Sequence, residues 1–204
     1  MIARFIEWLL ISSVRLLVNA QPRWLVQEDP PAPKQRIYVA NHSSHLDVVL
    51  LLSSIPASVR RRTRPVAAAE YWNAGTVRRY LIHSIFRGVL VGRQCGSLNP
   101  LEPVANALRQ GDSLIFFPEG TRGPGGMLQP LKPGLFHLAR WFPEIEIVPA
   151  WIDNSYRILP KGFAIPVPLL CSITFGAALR WKEGAQQEEF LTDIRTALEG
   201  LRPK

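Results

Sequence analysis

RIYVANHSSHLDVVLLLSSI, residues 36–55, is the stretch whose reading decides the fold. Arg36–Ala40 is a short apolar run of strand type, and His45–Ile55 has the length and leucine content of a helix. Between them lies a polar turn, Asn41-His42-Ser43-Ser44. A strand that feeds a helix through a short turn is the unit of α/β layer proteins. The same alternation continues along the chain. Further strand candidates are Pro65–Ala69, Val89–Gly92, Ser113–Phe117, Ile145–Ile152 and Leu169–Phe175. Further helix candidates are Thr76–Ile85, Leu101–Gln110, Leu135–Trp141 and Gln186–Leu201. Pro103 falls in the first turn of its helix, where the missing N–H costs nothing. The expected fold is a single-domain α/β sandwich with a largely parallel central sheet. Sites in such sheets form beyond the carboxyl ends of the strands. His42 follows one strand, Arg93 ends another and Glu119 follows a third, so the three are expected at one edge.

The polar turn carries chemistry. His42 stands five residues before Asp47. An imidazole, with its ordinary pKa of about 6.5, suits a general base. A carboxylate on the opposite ring nitrogen fixes the tautomer and stabilises the imidazolium. Five residues of regular helix turn through about 140°, which separates the two side chains. His42 must therefore lie in the turn, with Asp47 inside the first turns of the helix. A second polar stretch, Phe117-Pro118-Glu119-Gly120-Thr121-Arg122, leaves the strand Ser113–Phe117. Arg122 can grip a phosphate through paired N–H donors, with Arg93 and Lys132 as further cations. Glu119 is expected to orient Arg93 or Arg122, or to bond an acceptor hydroxyl. Thr121 adds a hydroxyl. The backbone N–H groups around Gly120 suit a phosphate or an oxyanion, and the sequence does not choose between them. Together the two stretches suggest base-catalysed attack by a hydroxyl on an acyl donor, with a phosphate as handle. A rival reading uses His42, His45 and Asp47 as metal ligands, although three ligands so close along a chain are awkward to aim at one ion. His83 and His137 read as ordinary packing or surface histidines. Tyr71-Trp72 and Trp151 are candidates for an acyl groove or for core packing.

These residues resemble the glycerolipid acyltransferases of the 1-acylglycerol-3-phosphate (lysophosphatidic acid) acyltransferase type. Asn41, His42 and Asp47 match that family's N-H-x-x-x-x-D block. Gly88 and Arg93 keep the glycine and arginine of its second block, with Gly92 where an acid usually stands. Phe117 to Arg122 match F-P-E-G-T-R, with Gly123 in place of the following serine. Ile147-Val148-Pro149-Ala150-Trp151 matches the apolar fourth block, and Lys132 and Gly134 also recur. Four blocks in family order are far more specific than a lone H-x-x-x-x-D. The resemblance implies His42 and Asp47 as catalytic residues, and Arg93, Glu119, Gly120, Thr121, Arg122 and Lys132 as substrate-binding residues. It implies acyl transfer from acyl-CoA or acyl carrier protein to a lysophospholipid, foremost 1-acylglycerol 3-phosphate, giving phosphatidic acid. It implies no cofactor beyond the acyl donor as co-substrate, and no metal. Another lysolipid such as a lyso-ornithine lipid is the alternative acceptor. A metal-assisted hydrolase, or a membrane-surface protein without catalysis, are alternatives of other classes.

Charge and composition agree with a folded enzyme at a membrane. The chain has 204 residues, 47% hydrophobic and 20% charged, and a net charge of +8. Residues 1–93 hold 13 Lys+Arg against 5 Asp+Glu, whereas residues 94–204 balance at 11 and 11. One-sided basic charge suggests an anionic partner. Zinc-finger spacing, basic heptads and aromatic-glycine sheet motifs are all missing, so nucleic acid is the weaker choice. Arg60-Arg61-Arg62-Thr63-Arg64 reads as a solvated loop, a headgroup-docking patch, or a contact for coenzyme A phosphates or an acyl carrier protein. Cys95 and Cys171 form no C-x-x-C, and reduced thiols are expected.

Residues 1–29 read as an N-terminal amphipathic helix and linker ahead of an acyltransferase domain at 30–204, with Pro30-Pro31-Ala32-Pro33 as a stiff spacer. Glu7 and Arg15 interrupt the apolar run of residues 2–18, which argues against a signal peptide and a transmembrane span. On a helical wheel Arg4, Glu7, Ser12, Arg15 and Asn19 share one stripe. The wide apolar remainder suits the membrane interface, the protein's own core, or a tilted insertion. The expected location is membrane-associated, on the cytoplasmic face of a bacterial inner membrane.

Overall fold

The computed structural model describes residues 2–18, 21–26, 34–92, 99–125, 127–158 and 170–203. Its elements run α1 (Ile2–Val18), β1 (Gln21–Trp24), β2 (Arg36–Ala40), α2 (Asp47–Ser54), α3 (Ala57–Arg60), β3 (Thr63–Ala68), α4 (Ala69–Trp72) and α5 (Thr76–Tyr80). A π-helical turn (Leu81–Ile85) then leads to β4 (Val89–Val91), α6 (Glu102–Arg109), β5 (Ser113–Phe116), α7 (Gly134–Trp141), β6 (Glu146–Ile152), α8 (Ser155–Ile158), β7 (Ser172–Phe175) and α9 (Gln187–Glu199).

The seven strands form one sheet in the order β1-β7-β6-β2-β5-β3-β4. β6, β2, β5, β3 and β4 are mutually parallel, whereas β7 runs antiparallel to β6 and carries β1 with it. The sheet is therefore largely parallel, as the alternating elements predict. β2 is central and buried along its whole length, which explains its unbroken apolar character. Its side chains alternate between two cores. Tyr38 and Ala40 join a cluster with α1 and α2, while Ile37 and Val39 join one with α6, α7 and α9. Helices thus cover both faces. Phe190, Ile194 and Leu198 recur at four-residue spacing on α9, the buried stripe of an amphipathic helix.

Sequence reasoning misses β1. Its four residues include Pro22 and are mostly exposed, so no periodicity marks them. β1 exists because β7 offers a free edge, and proline is tolerated on such an edge. The segment read as helix and linker thus adds a strand to the same sheet. The proline-rich spacer, Arg93 and Cys95 lie outside the described residues.

α1 packs one face on the core and leaves an apolar face exposed. Ile11, Val14 and Val18 are buried in the core shared with α2. Two residues of its polar stripe bond to the protein, while Arg4 is exposed. Arg15 Nε donates to the Ser53 carbonyl (3.0 Å), and Glu7 meets Arg60 at 3.9 Å. The opposite side, with Ile2, Phe5, Trp8, Leu9 and Leu16, is apolar and exposed.

The basic run is largely absorbed by the fold. Arg60 is tied to α1, and Arg62 and Arg64 both pair with Asp112. Arg62 and Arg64 flank the start of β3, at the sheet edge opposite its carboxyl ends.

At that same amino edge, Arg36 and Glu146 form a buried pair at 3.1 Å, both 5% exposed. Arg180 and Lys34 approach Glu146 from the surface at 2.8 and 3.5 Å. The bond from Arg180, with Arg36 and Lys34 beside it, outweighs burial and holds the Glu146 carboxyl below its ordinary range. A depressed carboxylate supplies stability that is complete above the ordinary value and lost as pH falls through the depressed one. Glu146→Gln should cost about 3 kcal/mol at pH 7, the low end for breaking a buried pair, because Arg180 and Lys34 can re-solvate. It should also flatten the acid limb of stability. Urea unfolding of both proteins at pH 7 and pH 4 checks both points.

Candidate active site

β2 and β5 are neighbours, and their register sets the site. Val39 pairs with Phe116, so three residues further on His42 stands level with Glu119. Asn41 clamps the exit of β2 to β6. Its side-chain amide donates to the Ile152 carbonyl (2.9 Å) and accepts from the Ile152 N–H (2.8 Å). The chain then turns through residues 41–46, and α2 opens at Asp47, two residues later than the sequence suggests.

This turn places His42 Nδ1 2.8 Å from Asp47 Oδ2. The same oxygen accepts the backbone N–H groups of Ser43 (2.7 Å) and Ser44 (2.9 Å). Three donors on one carboxylate oxygen make Asp47 both the organiser of the turn and the partner of the ring. Asp47 is fully buried, and its Oδ1 has no partner among the described residues. An unpaired buried acceptor is a cost, and native structures retain few of them. An ionised carboxylate only accepts, so Nδ1 carries the proton and Nε2 presents a lone pair. The ring stacks on Phe117 with centroids 4.1 Å apart, and the side chain keeps 20% of its surface exposed. The result is an oriented imidazole with one open nitrogen, able to take a proton from a hydroxyl beside it.

Glu119 is held by backbone N–H groups, and among the described residues it makes no ion pair with Arg122. Its Oε1 accepts the His42 backbone N–H (2.7 Å), and its Oε2 accepts the Gln129 N–H (2.8 Å). It is 2% exposed, and burial pushes its carboxyl above the ordinary value against those two bonds. Glu119 therefore ties the His42 turn to the loop that follows β5. The Gly123 N–H adds a second tie by donating to the His42 carbonyl (2.8 Å). A Cβ at Gly123 would come within 3.0 Å of Gln129 Cγ, so the packing here favours glycine over a larger residue.

Gly120 has φ +67°, and a Cβ there would sit 2.7 Å from Lys132 Nζ. The positive φ favours glycine here, and the Lys132 side chain lies across it. The Gly120 N–H is spent on the Phe117 carbonyl (3.0 Å), so it is not a free oxyanion donor. Thr121, Arg122 and Lys132 are exposed around this turn. His45 stacks on Tyr71, whose hydroxyl lies 3.2 Å from His45 Nε2 and 3.4 Å from its Nδ1. Burial, then Arg122, His42 and Arg78, push the His45 pKa down, which favours a neutral ring. Among the described residues no three His, Cys, Asp or Glu side chains converge in a way that could hold a metal.

The matches to known proteins follow the same residues. A family model described as "Acyltransferase" matches residues 25–153. The chain belongs to the acyltransferase family. It is 32% identical over 139 residues to the 1-acyl-sn-glycerol-3-phosphate acyltransferase of Cocos nucifera, covering 63% of this chain and 43% of that protein. It is 30% identical over 147 residues to the enzyme of that name from Limnanthes alba, covering 71% and 50%. The chain therefore spans half the length or less of these relatives. The crystal structure of the 1-acyl-sn-glycerophosphate (LPA) acyltransferase from Thermotoga maritima shares the fold, with a TM-score of 0.75 over 98% of this chain and 78% of that one, at 22% identity.

The structure thus gathers His42, Asp47, Glu119, Gly120, Thr121, Arg122 and Lys132 at one sheet edge. Trp151 is buried in the core, and Trp72 packs edge-on against Phe86. Sequence reasoning overlooked Arg78, whose guanidinium carbon lies 4.4 Å from the Tyr71 ring centroid. No motif surrounds Arg78, and only the course of the chain after β3 brings it to the site.

Proposed function

We propose that this acyltransferase moves a fatty acyl group from an acyl thioester, acyl-CoA or acyl carrier protein, to the free hydroxyl of 1-acylglycerol 3-phosphate. The observation that carries the reading is the His42–Asp47 pair at 2.8 Å, with the outer ring nitrogen open at the carboxyl edge of the sheet. His42 Nε2 takes the proton of the acceptor hydroxyl as its oxygen attacks the thioester carbon. Asp47 holds the Nδ1–H and stabilises the imidazolium. The tetrahedral intermediate collapses with loss of the thiolate, which recovers the proton from His42. Arg122 and Lys132 receive the acceptor's phosphate, and Arg93 joins them in the proposal by its block. Glu119 acts through the two backbone bonds that fix the turn. The names of the relatives, 1-acyl-sn-glycerol-3-phosphate acyltransferases, support this acceptor.

The acceptor's chains lie in a bilayer, so the site has to reach its surface. No described helix is long and apolar enough to cross a membrane. The outward face of α1 is the proposed contact.

Release of free thiol from an acyl thioester tests the reading. It should require a lysolipid, and among lysophosphatidate, lysophosphatidylcholine, a lyso-ornithine lipid and monoacylglycerol it should be fastest with lysophosphatidate. Thiol release that ignores the acceptor would make the protein a thioesterase instead. Preference for the lyso-ornithine lipid would change the acceptor and leave the chemistry in place.

A further inference from the structure

Beside Arg122 of the third block stand two residues outside the family's blocks, Tyr71 and Arg78, that have no assigned role. Tyr71 on α4 stands beyond the carboxyl end of β3 and stacks on His45, with ring centroids 5.3 Å apart. Arg78 from α5 lies over the same tyrosine at 4.4 Å, and Arg122 approaches its centroid to 6.0 Å. Both arginines are exposed, and neither has an acidic partner among the described residues. Arg36, Arg60, Arg62 and Arg64, by contrast, are each held in an ion pair. Two guanidinium groups drawn to one aromatic ring without a carboxylate form a concentrated positive site.

We infer that Arg78, steadied on Tyr71, is a further residue of the phosphate site: it joins Arg122 and makes that site selective for a phosphate monoester. Each guanidinium offers paired N–H donors that match phosphate oxygens, and two of them suit a dianion better than a diester monoanion. Tyr71 restricts Arg78 through its ring face, and His45 stacks on Tyr71 in turn. The site therefore selects a terminal phosphate over a capped headgroup. Arg78 would be the residue that separates lysophosphatidate from lysophosphatidylcholine. This rests on the proposed acyl transfer only for the identity of the ligand. A phosphate monoester also occurs as the 3′-phosphate of coenzyme A.

Equilibrium binding, read by calorimetry, separates these cases without relying on turnover. The probes are glycerol 3-phosphate, short-chain lysophosphatidate, short-chain monoacylglycerol, coenzyme A and dephospho-coenzyme A. The proteins are wild type, Arg78→Gln, Arg122→Gln and Tyr71→Leu, each checked for an unchanged unfolding midpoint. Arg78→Gln should weaken glycerol 3-phosphate and lysophosphatidate about ten- to hundredfold and leave monoacylglycerol alone. Tyr71→Leu should weaken the phosphate ligands about two- to fivefold, the share of an exposed cation–π contact. If Arg78→Gln instead weakens coenzyme A tenfold or more and spares dephospho-coenzyme A and glycerol 3-phosphate, the monoester site stands and its phosphate is the donor's. Unchanged binding of every phosphate ligand, or equal weakening of monoacylglycerol, overturns the inference. Should wild type bind lysophosphatidate through Arg78 yet fail to acylate it, the proposed acceptor falls while the phosphate site remains.

Discussion

His42→Ala should lower acyl transfer by about 10²–10⁴-fold, the usual contribution of a positioned general base, while the protein stays folded. The fold should survive because the ties around residue 42 use its backbone. Its N–H on Glu119 and its carbonyl under Gly123 do not depend on the ring. Removal of the imidazole also leaves Asp47 Oδ2 two backbone donors. Asp47→Asn should fall in a similar range alone but add little to His42→Ala, since the two act as one unit. His45→Ala should cost less than tenfold in turnover, because its ring partners Tyr71 instead of the base. Single-turnover rates together with thermal midpoints check all four proteins. Transfer by the His42 variant near the wild-type rate would remove the base from the mechanism.

The contrast between His42 and Glu119 shows where sequence reading succeeds. A strand, a polar turn and a helix can be read from residues 36–55 because burial on both faces demands a continuous apolar run. The His42–Asp47 pairing follows from that local geometry. The two partners of Glu119 were not legible because they are backbone N–H groups, which carry no residue identity. A motif cannot reveal which amide a carboxylate takes. β1 was invisible for a related reason, since its hydrogen bonds come from β7 and its side chains are mostly exposed. Arg60, Arg62 and Arg64 looked like one basic patch. Their partners, Glu7 and Asp112, lie about fifty residues away along the chain, beyond any local window. Tyr71 and Arg78 meet His45 only because β3 returns the chain to the same sheet edge. In each case local pattern shows the element, and tertiary pairing decides what its polar groups do.

The helix α1 yields the second large effect, because one of its apolar faces is buried in the core and the other, exposed, is the proposed membrane contact. Deleting residues 1–19 is a poor test, since it removes Ile11, Val14 and Val18 from the core. Substitution of the outer face alone is clean. Phe5, Trp8, Leu9 and Leu16 are 62%, 60%, 48% and 85% exposed, so changing all four to serine removes little native packing. Full burial of a large apolar side chain is worth about 1.5–3 kcal/mol, and these side chains have roughly half or more of that still to gain. Losing about 1 kcal/mol at each of four positions lowers partitioning onto lipid vesicles about a thousandfold. The quadruple variant should therefore stay in the supernatant when vesicles of mixed neutral and anionic lipid are sedimented. Its unfolding midpoint should match wild type, and so should its activity on short-chain, water-soluble lysolipid. Ile11→Ala should behave in the opposite way. It should keep vesicle binding and lose about 2–3 kcal/mol of stability, as a buried isoleucine does when truncated. If the quadruple variant sediments with vesicles like wild type, α1 serves the core alone. The membrane contact then has to be sought on α5, where Val77 and Tyr80 are also exposed beside Arg78 and Arg79.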